Sequence, residues 1–130
     1  MIVLDASATV EWLLQTAVGR LIEKRIYSRN ESLHSPHLLD LEVAQVLRRL
    51  VREGVVAKER ADEAIDDLLD LRMNRYPHFL LLPRIWQLRH NLSAYDAAYV
   101  VLAEELSAVL VTRDARLASA TGHVARIELF

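Results

Sequence analysis

Cysteine is absent from this chain of 130 residues. Its absence removes disulfide scaffolds, thiolate zinc sites and cysteine nucleophiles together, and it fits a reducing compartment. Glycine and proline number three each, too few for collagen-like or low-complexity sequence. Gly19, Gly54 and Gly122 stand far apart, so there is no glycine loop to cradle a phosphate. The longest apolar run, Ala97 to Ala103, has seven residues, far short of the roughly 20 that cross a bilayer. Nor does the opening Met1-Ile2-Val3-Leu4-Asp5 carry a basic leader. A soluble, cytoplasmic protein without membrane contact is expected. Net charge is small as well, −2 with a pI near 6.2, so no strong positive field points to nucleic acid.

What the chain does have is 52% hydrophobic and 26% charged residues, ordinary globular usage that predicts one domain spanning residues 1–130. Of its sixteen basic residues only Lys24 and Lys58 are lysines. Arginine's planar fork binds phosphate bidentately and stacks on bases, so the bias permits a nucleic acid partner. A GC-rich genome would produce the same bias.

Ile2 to Leu4 reads as a buried strand stopped by Asp5, after which Ala8, Trp12 and Leu13 recur at helical spacing. Further helices are predicted from about Val18 to Tyr27, from Pro36 to a capping Gly54 and from Lys58 to about Arg72. Three more are predicted from Arg84 to His90, from Ser93 to Leu106 and from Ala115 to Ala120. Strand signals fall at Ser32 to His34, Phe79 to Leu82, Val109 to Val111 and Val124 to Leu129. Alternating strands and helices imply right-handed crossovers and a mainly parallel sheet covered on both faces, a three-layer α/β/α sandwich. The acids Asp62, Glu63, Asp66, Asp67 and Asp70 lie opposite Ile65, Leu68 and Leu69 and read as a solvated helix face.

Two acids follow nearly continuous hydrophobic strands. Asp5 comes directly after Ile2-Val3-Leu4, and Asp114 comes after Val109-Leu110-Val111 with Thr112 and Arg113 between. Open parallel sheets bind ligands at the carboxyl ends of their strands, near the point where strand order reverses. Either aspartate also suits the N-cap of the helix that follows it. Asp96 stands three residues after Ser93, the spacing of a capping box, yet shares a helical face with Val100 and Ala103 and therefore points inward. A buried acid requires a partner. Glu42 borders the stripe formed by Leu39, Val43, Val46 and Leu50, a position equally open to an exposed glutamate.

Carboxylates gathered on one sheet edge repel by about 4 kcal/mol per pair at ~4 Å and an effective dielectric of ~20. No lysine lies near any of the four in sequence. A divalent cation would relieve the repulsion, and oxygen donors without cysteine or paired histidines select magnesium or manganese over zinc. The five histidines show no helical metal spacing. Phosphodiester hydrolysis at such a site needs neither serine nor histidine as nucleophile. Trp12 and Tyr99 fall in apolar stripes and belong to the core, whereas Tyr95, beside Asp96, is the aromatic side chain placed to meet a base.

Four stretches then carry a resemblance: Ile2-Val3-Leu4-Asp5-Ala6-Ser7, "PHLLDLEVAQVLRR" with Glu42, "RIWQLRHNLSAYDAAYVVLAEEL" with Asp96, and "LVTRDARLA" with Asp114. Through them nearly the whole chain resembles the PIN-domain ribonucleases, and among these the VapC toxins of bacterial type II toxin–antitoxin pairs. The resemblance implies an Mg2+-dependent (or Mn2+-dependent) endoribonuclease with Asp5, Glu42, Asp96 and Asp114 as its catalytic acids. Asp5 and Asp96 would be the principal metal ligands, Asp114 a further one, and Glu42 a ligand or water-orienting group. Ser7 and Thr112 match positions that support the acids by hydrogen bonds. It also implies an RNA substrate, a homodimer and a cognate VapB-type antitoxin whose tail crosses the groove and sets a basic side chain among the acids. A dimer would join short arginine patches, such as Arg48, Arg49, Arg52 and Arg113, into a longer phosphate track. The competing reading is a non-catalytic PIN-fold module that binds RNA or an antitoxin, and the complete acidic quartet argues against it. A phosphoacceptor signalling domain is excluded, because Asp5 has no acidic neighbour and no lysine follows Lys58.

Overall fold

A computed structural model describes residues 1–130. The chain runs β1 (Ile2–Leu4), α1 (Ala6–Leu13), α2 (Ala17–Tyr27), β2 (Leu33–Pro36), α3 (Leu38–Arg52), α4 (Lys58–Asp70) and β3 (Met73–Tyr76). A single 3-10 turn at Phe79–Leu81 leads into α5 (Leu82–Gln87), followed by α6 (Ala94–Leu106), β4 (Val109–Thr112), α7 (Ala115–Ser119) and β5 (Arg126–Leu129). The five strands form one parallel sheet in the order β3-β2-β1-β4-β5. The expected three-layer α/β/α arrangement holds.

Alternation along the central strands builds the two cores. Val3 and Leu110 face a large cluster that includes side chains of α3, α4, α5 and α6. Ile2, Leu4, Val109 and Val111 face the opposite way, onto Trp12 of α1 and Ile22 and Ile26 of α2. Helix α6 is buried without a break from Ala97 to Ala103, as an unbroken apolar run requires. It starts where Ser93 Oγ accepts the Asp96 N–H at 3.1 Å and ends at Ser107 in the left-handed region. Gly54, with φ of +72°, follows α3. There the Gly54 N–H bonds Val51 at 3.0 Å and the Val55 N–H bonds Leu50 at 2.9 Å, a Schellman closure. No helix is long and apolar enough to cross a membrane.

Two sequence expectations are corrected. Phe79 to Leu82 is not a buried strand: Phe79, Leu80 and Leu82 are 72%, 69% and 55% exposed, and only Leu81 turns inward. The strand lies just before it, at Met73–Tyr76, and its polar Asn74 and Arg75 disguise it. As an edge strand it pairs on one side alone, where polar side chains are tolerated and discourage further pairing. Pro36, for its part, closes β2 instead of opening α3, which begins at Leu38.

Candidate active site

Strand order sets the location of the site. From β1 the chain winds outward through β2 to β3, then crosses back to place β4 on the other side of β1. The crevice between β1 and β4 is therefore the point of reversal, where parallel sheets bind ligands. In register, Leu4 stands beside Val111, so the residues that follow, Asp5 and Thr112, meet at the carboxyl edge.

Asp5 is 5% exposed and caps α1. Its Oδ1 accepts from the Ala8 N–H at 2.9 Å and from Ser7 Oγ at 2.7 Å, while Oδ2 accepts from the Thr112 hydroxyl. Each hydroxyl donates to the carboxylate, which only accepts, and each in turn accepts a backbone N–H. Arg113 N–H bonds Ser7 Oγ at 2.9 Å, and Asp114 N–H bonds Thr112 Oγ1 at 2.9 Å. Ser7 and Thr112 thus tie the Asp5 carboxylate to the turn that presents Asp114. A carboxylate offers about four acceptor positions. Three are occupied here, which leaves one acceptor position on Oδ2 without a donor from the chain. Burial raises the Asp5 carboxyl above its ordinary range, opposed by the bonds from Ala8, Thr112 and Ser7 and reinforced by the charge of Asp96.

Asp114 caps α7 through Oδ1, which accepts from the N–H groups of Arg116 at 2.8 Å and Leu117 at 3.4 Å, leaving Oδ2 free. Asp96, in the first turn of α6, is half-buried, and its pKa is raised first by burial and then by the charge of Asp114. Glu42 reaches in from α3 and is pushed up to about 7 by burial, then by the charges of Asp96 and Asp5. Glu42 Oε1 and Tyr99 Oη are both buried without a hydrogen-bond partner, although Tyr99 lies near enough to hold Glu42 down slightly. The Tyr99 hydroxyl stays protonated, raised by burial and then by Glu42, Asp5 and Asp96. Asp5, Glu42 and Asp96 therefore lie within electrostatic reach of one another, and Asp114 acts on Asp96. The one cation paired with any of them is Arg116, 3.9 Å from Asp114 and 96% exposed.

Known proteins share the sequence pattern and fold of this chain. The PIN domain profile matches residues 2–122. The chain belongs to the PIN-domain family, among its VapC members. Ribonuclease VapC1 of Mycobacterium tuberculosis is 42% identical to this PIN domain over 128 residues, covering 98% of this chain and 96% of its own. Ribonuclease VapC12 of the same organism is 40% identical over 129 residues, covering 99% and 98%. Among solved structures, PAE2754 from Pyrobaculum aerophilum matches with a TM-score of 0.70 at 28% identity, over 97% of this chain and 81% of its own. VapC20 of M. tuberculosis, a sarcin-ricin loop cleaving toxin, matches with a TM-score of 0.66 over 95% and 97% of the two chains; at 16% identity the likeness is one of fold alone.

The donor set of this PIN domain suits a hard dication: carboxylate oxygens only, mutually repelling, with one buried glutamate oxygen and one tyrosine hydroxyl unpartnered. No three acidic or histidine side chains converge around one point as a finished ligand cage. The fit is accordingly to an ion that keeps much of its water and uses one or two carboxylates directly, as magnesium does.

Three residues that shape the site escaped the sequence reading. Thr9 Oγ1 donates to the Asp5 carbonyl at 2.7 Å, and Ser35 Oγ donates to the Leu4 carbonyl at 2.9 Å, pinning the end of β1 from both sides. Tyr99 sits in the core as its spacing indicates, but its hydroxyl belongs to the acidic site. Arg113, expected in a phosphate track, is held by the Phe130 carbonyl at 2.9 Å and by Glu11 at 3.5 Å.

Proposed function

We propose that this VapC-family chain is a metal-dependent endoribonuclease toxin that hydrolyses RNA phosphodiester bonds at the Asp5, Glu42, Asp96 and Asp114 cluster. The observation that carries this reading is that burial and neighbouring acid charge raise Asp5, Asp96 and Glu42 beside the β1–β4 crevice, with Asp114 acting on Asp96 and no buried cation to balance them. Asp5, Asp96 and Asp114 would hold Mg2+ or Mn2+, one or two of them directly and the rest through water, and the ion when bound would polarise a phosphoryl oxygen and make water a stronger nucleophile.

The protein's own groups prepare the reaction. Ser7 and Thr112 hold Asp5 as a fixed acceptor, so little reorganisation is needed when a ligand arrives. Glu42, titrating near neutrality, accepts a proton from the attacking water or returns one to the leaving oxygen. The protonated Tyr99 hydroxyl, which has no partner in the chain, lies beside Glu42. A basic side chain from a VapB-type antitoxin would satisfy the same carboxylates and exclude both cation and substrate. Exposed Phe79, Leu80, Leu82 and Trp86 support a homodimer, since a monomer gains nothing by leaving large apolar side chains together in water.

Purified protein with Mg2+ should cleave cellular RNA, and Asp5→Asn should abolish cleavage while folding normally. Cleavage retained by Asp5→Asn would overturn the proposal. The alternative, a non-catalytic RNA- or antitoxin-binding module, predicts binding without cleavage in the wild type.

A further inference from the structure

Beside the acids lies a cleft of about 390 Å³ lined by His37, Leu38, Leu41, Glu42, Gln45 and His78, with Tyr95 on its far wall. Glu42 belongs both to this cleft and to the acidic site, so the two are continuous. A smaller cleft of about 190 Å³ shares Leu38, His78 and Tyr95 and is otherwise apolar. The volume falls near the low end of the ~300–1,000 Å³ of small-molecule sites, right for one heterocycle and too small for a folded element. Tyr95 is 68% exposed and Leu41 76%, an arrangement with no structural purpose inside the chain. His78 Nε2 accepts the Leu38 N–H at 2.9 Å, which fixes it as the wall of the cleft.

One face of α3 links this cleft to positive charge. At 100° per residue, Leu38, Glu42 and Gln45 share a stripe that continues into Arg49 and Arg52, with Leu41 and Arg48 on its flank. All three arginines are exposed, and none takes part in the nine ion pairs of the chain. An apolar, aromatic slot beside a phosphodiester-cutting centre, extended by free arginines, matches single-stranded RNA: bases stack and phosphates pair. A basic peptide would be repelled from the arginines.

We infer that the cleft between α3 and Tyr95 takes an unstacked nucleobase adjoining the scissile phosphate, with Arg48, Arg49 and Arg52 carrying the flanking phosphates. The inference rests on the ribonuclease reading above and adds to it a base-binding subsite. Tyr95 supplies the stacking surface, and the Gln45 amide stands where it can read a base edge.

The test uses short single-stranded RNA of randomised sequence and the full chain in EDTA, so that binding is measured without cleavage. Tyr95→Ala should weaken binding about 5- to 100-fold, the effect of losing one base–aromatic stack. Tyr95→Phe should bind as the wild type does. Replacing Arg48, Arg49 and Arg52 together by alanine should make the salt dependence of log affinity shallower by about 2, at ~0.7 for each single-strand phosphate contact. With Mg2+ present, Tyr95→Ala should also redistribute the cut sites found by sequencing RNA ends. Because Tyr95 is exposed, its melting temperature should stay at the wild-type value. If Tyr95→Ala binds RNA and chooses cut sites as the wild type does, the cleft serves a protein partner and the inference fails. If instead Asp5→Asn goes on cutting, the proposed catalytic site fails, and the EDTA binding data still decide the cleft independently.

Discussion

Replacing Glu42 by glutamine should make the metal-free protein more stable, in a manner that depends on pH. The Glu42 carboxyl is raised from 4.5 to about 7 by burial and by the charges of Asp96 and Asp5. A group whose pKa rises on folding favours the folded state fully below its unfolded pKa and ceases to do so as pH climbs through the folded value. For Glu42 that window runs from pH 4.5 to about 7. At about 1.4 kcal/mol for each tenfold change in proton affinity the ceiling is about 3.4 kcal/mol. Glu42 is only half-buried, so water and salt screen the interaction and about 1–2 kcal/mol remains. For a chain of this size that corresponds to about 4–8 °C in melting temperature. The assay is thermal unfolding followed by circular dichroism in EDTA, wild type against Glu42→Gln, from pH 4 to 8.5. The two should melt together at the acidic end, and the variant should gain steadily until about pH 7.5, while losing RNA cleavage. A difference that is constant with pH, or a wild type more stable than the variant at pH 8, would refute the claim that burying the Glu42 charge beside Asp96 and Asp5 costs the fold stability.

Three further outcomes concern the acidic network and the packing of α1 on α2. Thr112→Val deletes the hydroxyl that donates to Asp5 and accepts the Asp114 N–H, stranding two partners; it should lower unfolding free energy by about 1–3 kcal/mol in urea titrations and cleavage by about 10- to 100-fold. Mg2+ or Mn2+ should raise the wild-type melting temperature by mass action, worth about 2.7 kcal/mol at a hundredfold excess over Kd, and should raise that of Asp96→Asn much less; equal shifts would remove Asp96 from the metal site. Gly19→Ala should destabilise by about 3 kcal/mol, the upper end for overpacking, because the added Cβ would lie 1.9 Å from the Glu11 carbonyl oxygen where α1 meets α2; wild-type stability in chemical denaturation would show that the two helices can part at that point.

By itself the sequence determined the layered α/β class, the Ser93 cap and the glycine after α3, and it singled out four acids as candidates. Those features are written in local periods: Ile2-Val3-Leu4 and Val109-Leu110-Val111 are too apolar to lie anywhere but the centre of a covered sheet, and an aspartate directly after such a strand must emerge at its carboxyl edge. It misjudged Phe79–Leu82 and overlooked Met73–Tyr76, because an edge strand needs only one good neighbour and carries no strong signal of its own. Tertiary structure alone decided the rest. Strand order brought β4 beside β1 and so set Thr112, more than a hundred residues away in the chain, against the Asp5 carboxylate. It aimed the Tyr99 hydroxyl from the core at the acids, bonded Arg113 to the Phe130 carbonyl and left Arg48, Arg49 and Arg52 in line with the cleft beside Glu42. The reason is physical: a helical or strand period shows which side of an element is apolar, whereas the pKa of Glu42 and the occupancy of Asp5 depend on charges and donors supplied by other elements, whose approach only packing determines.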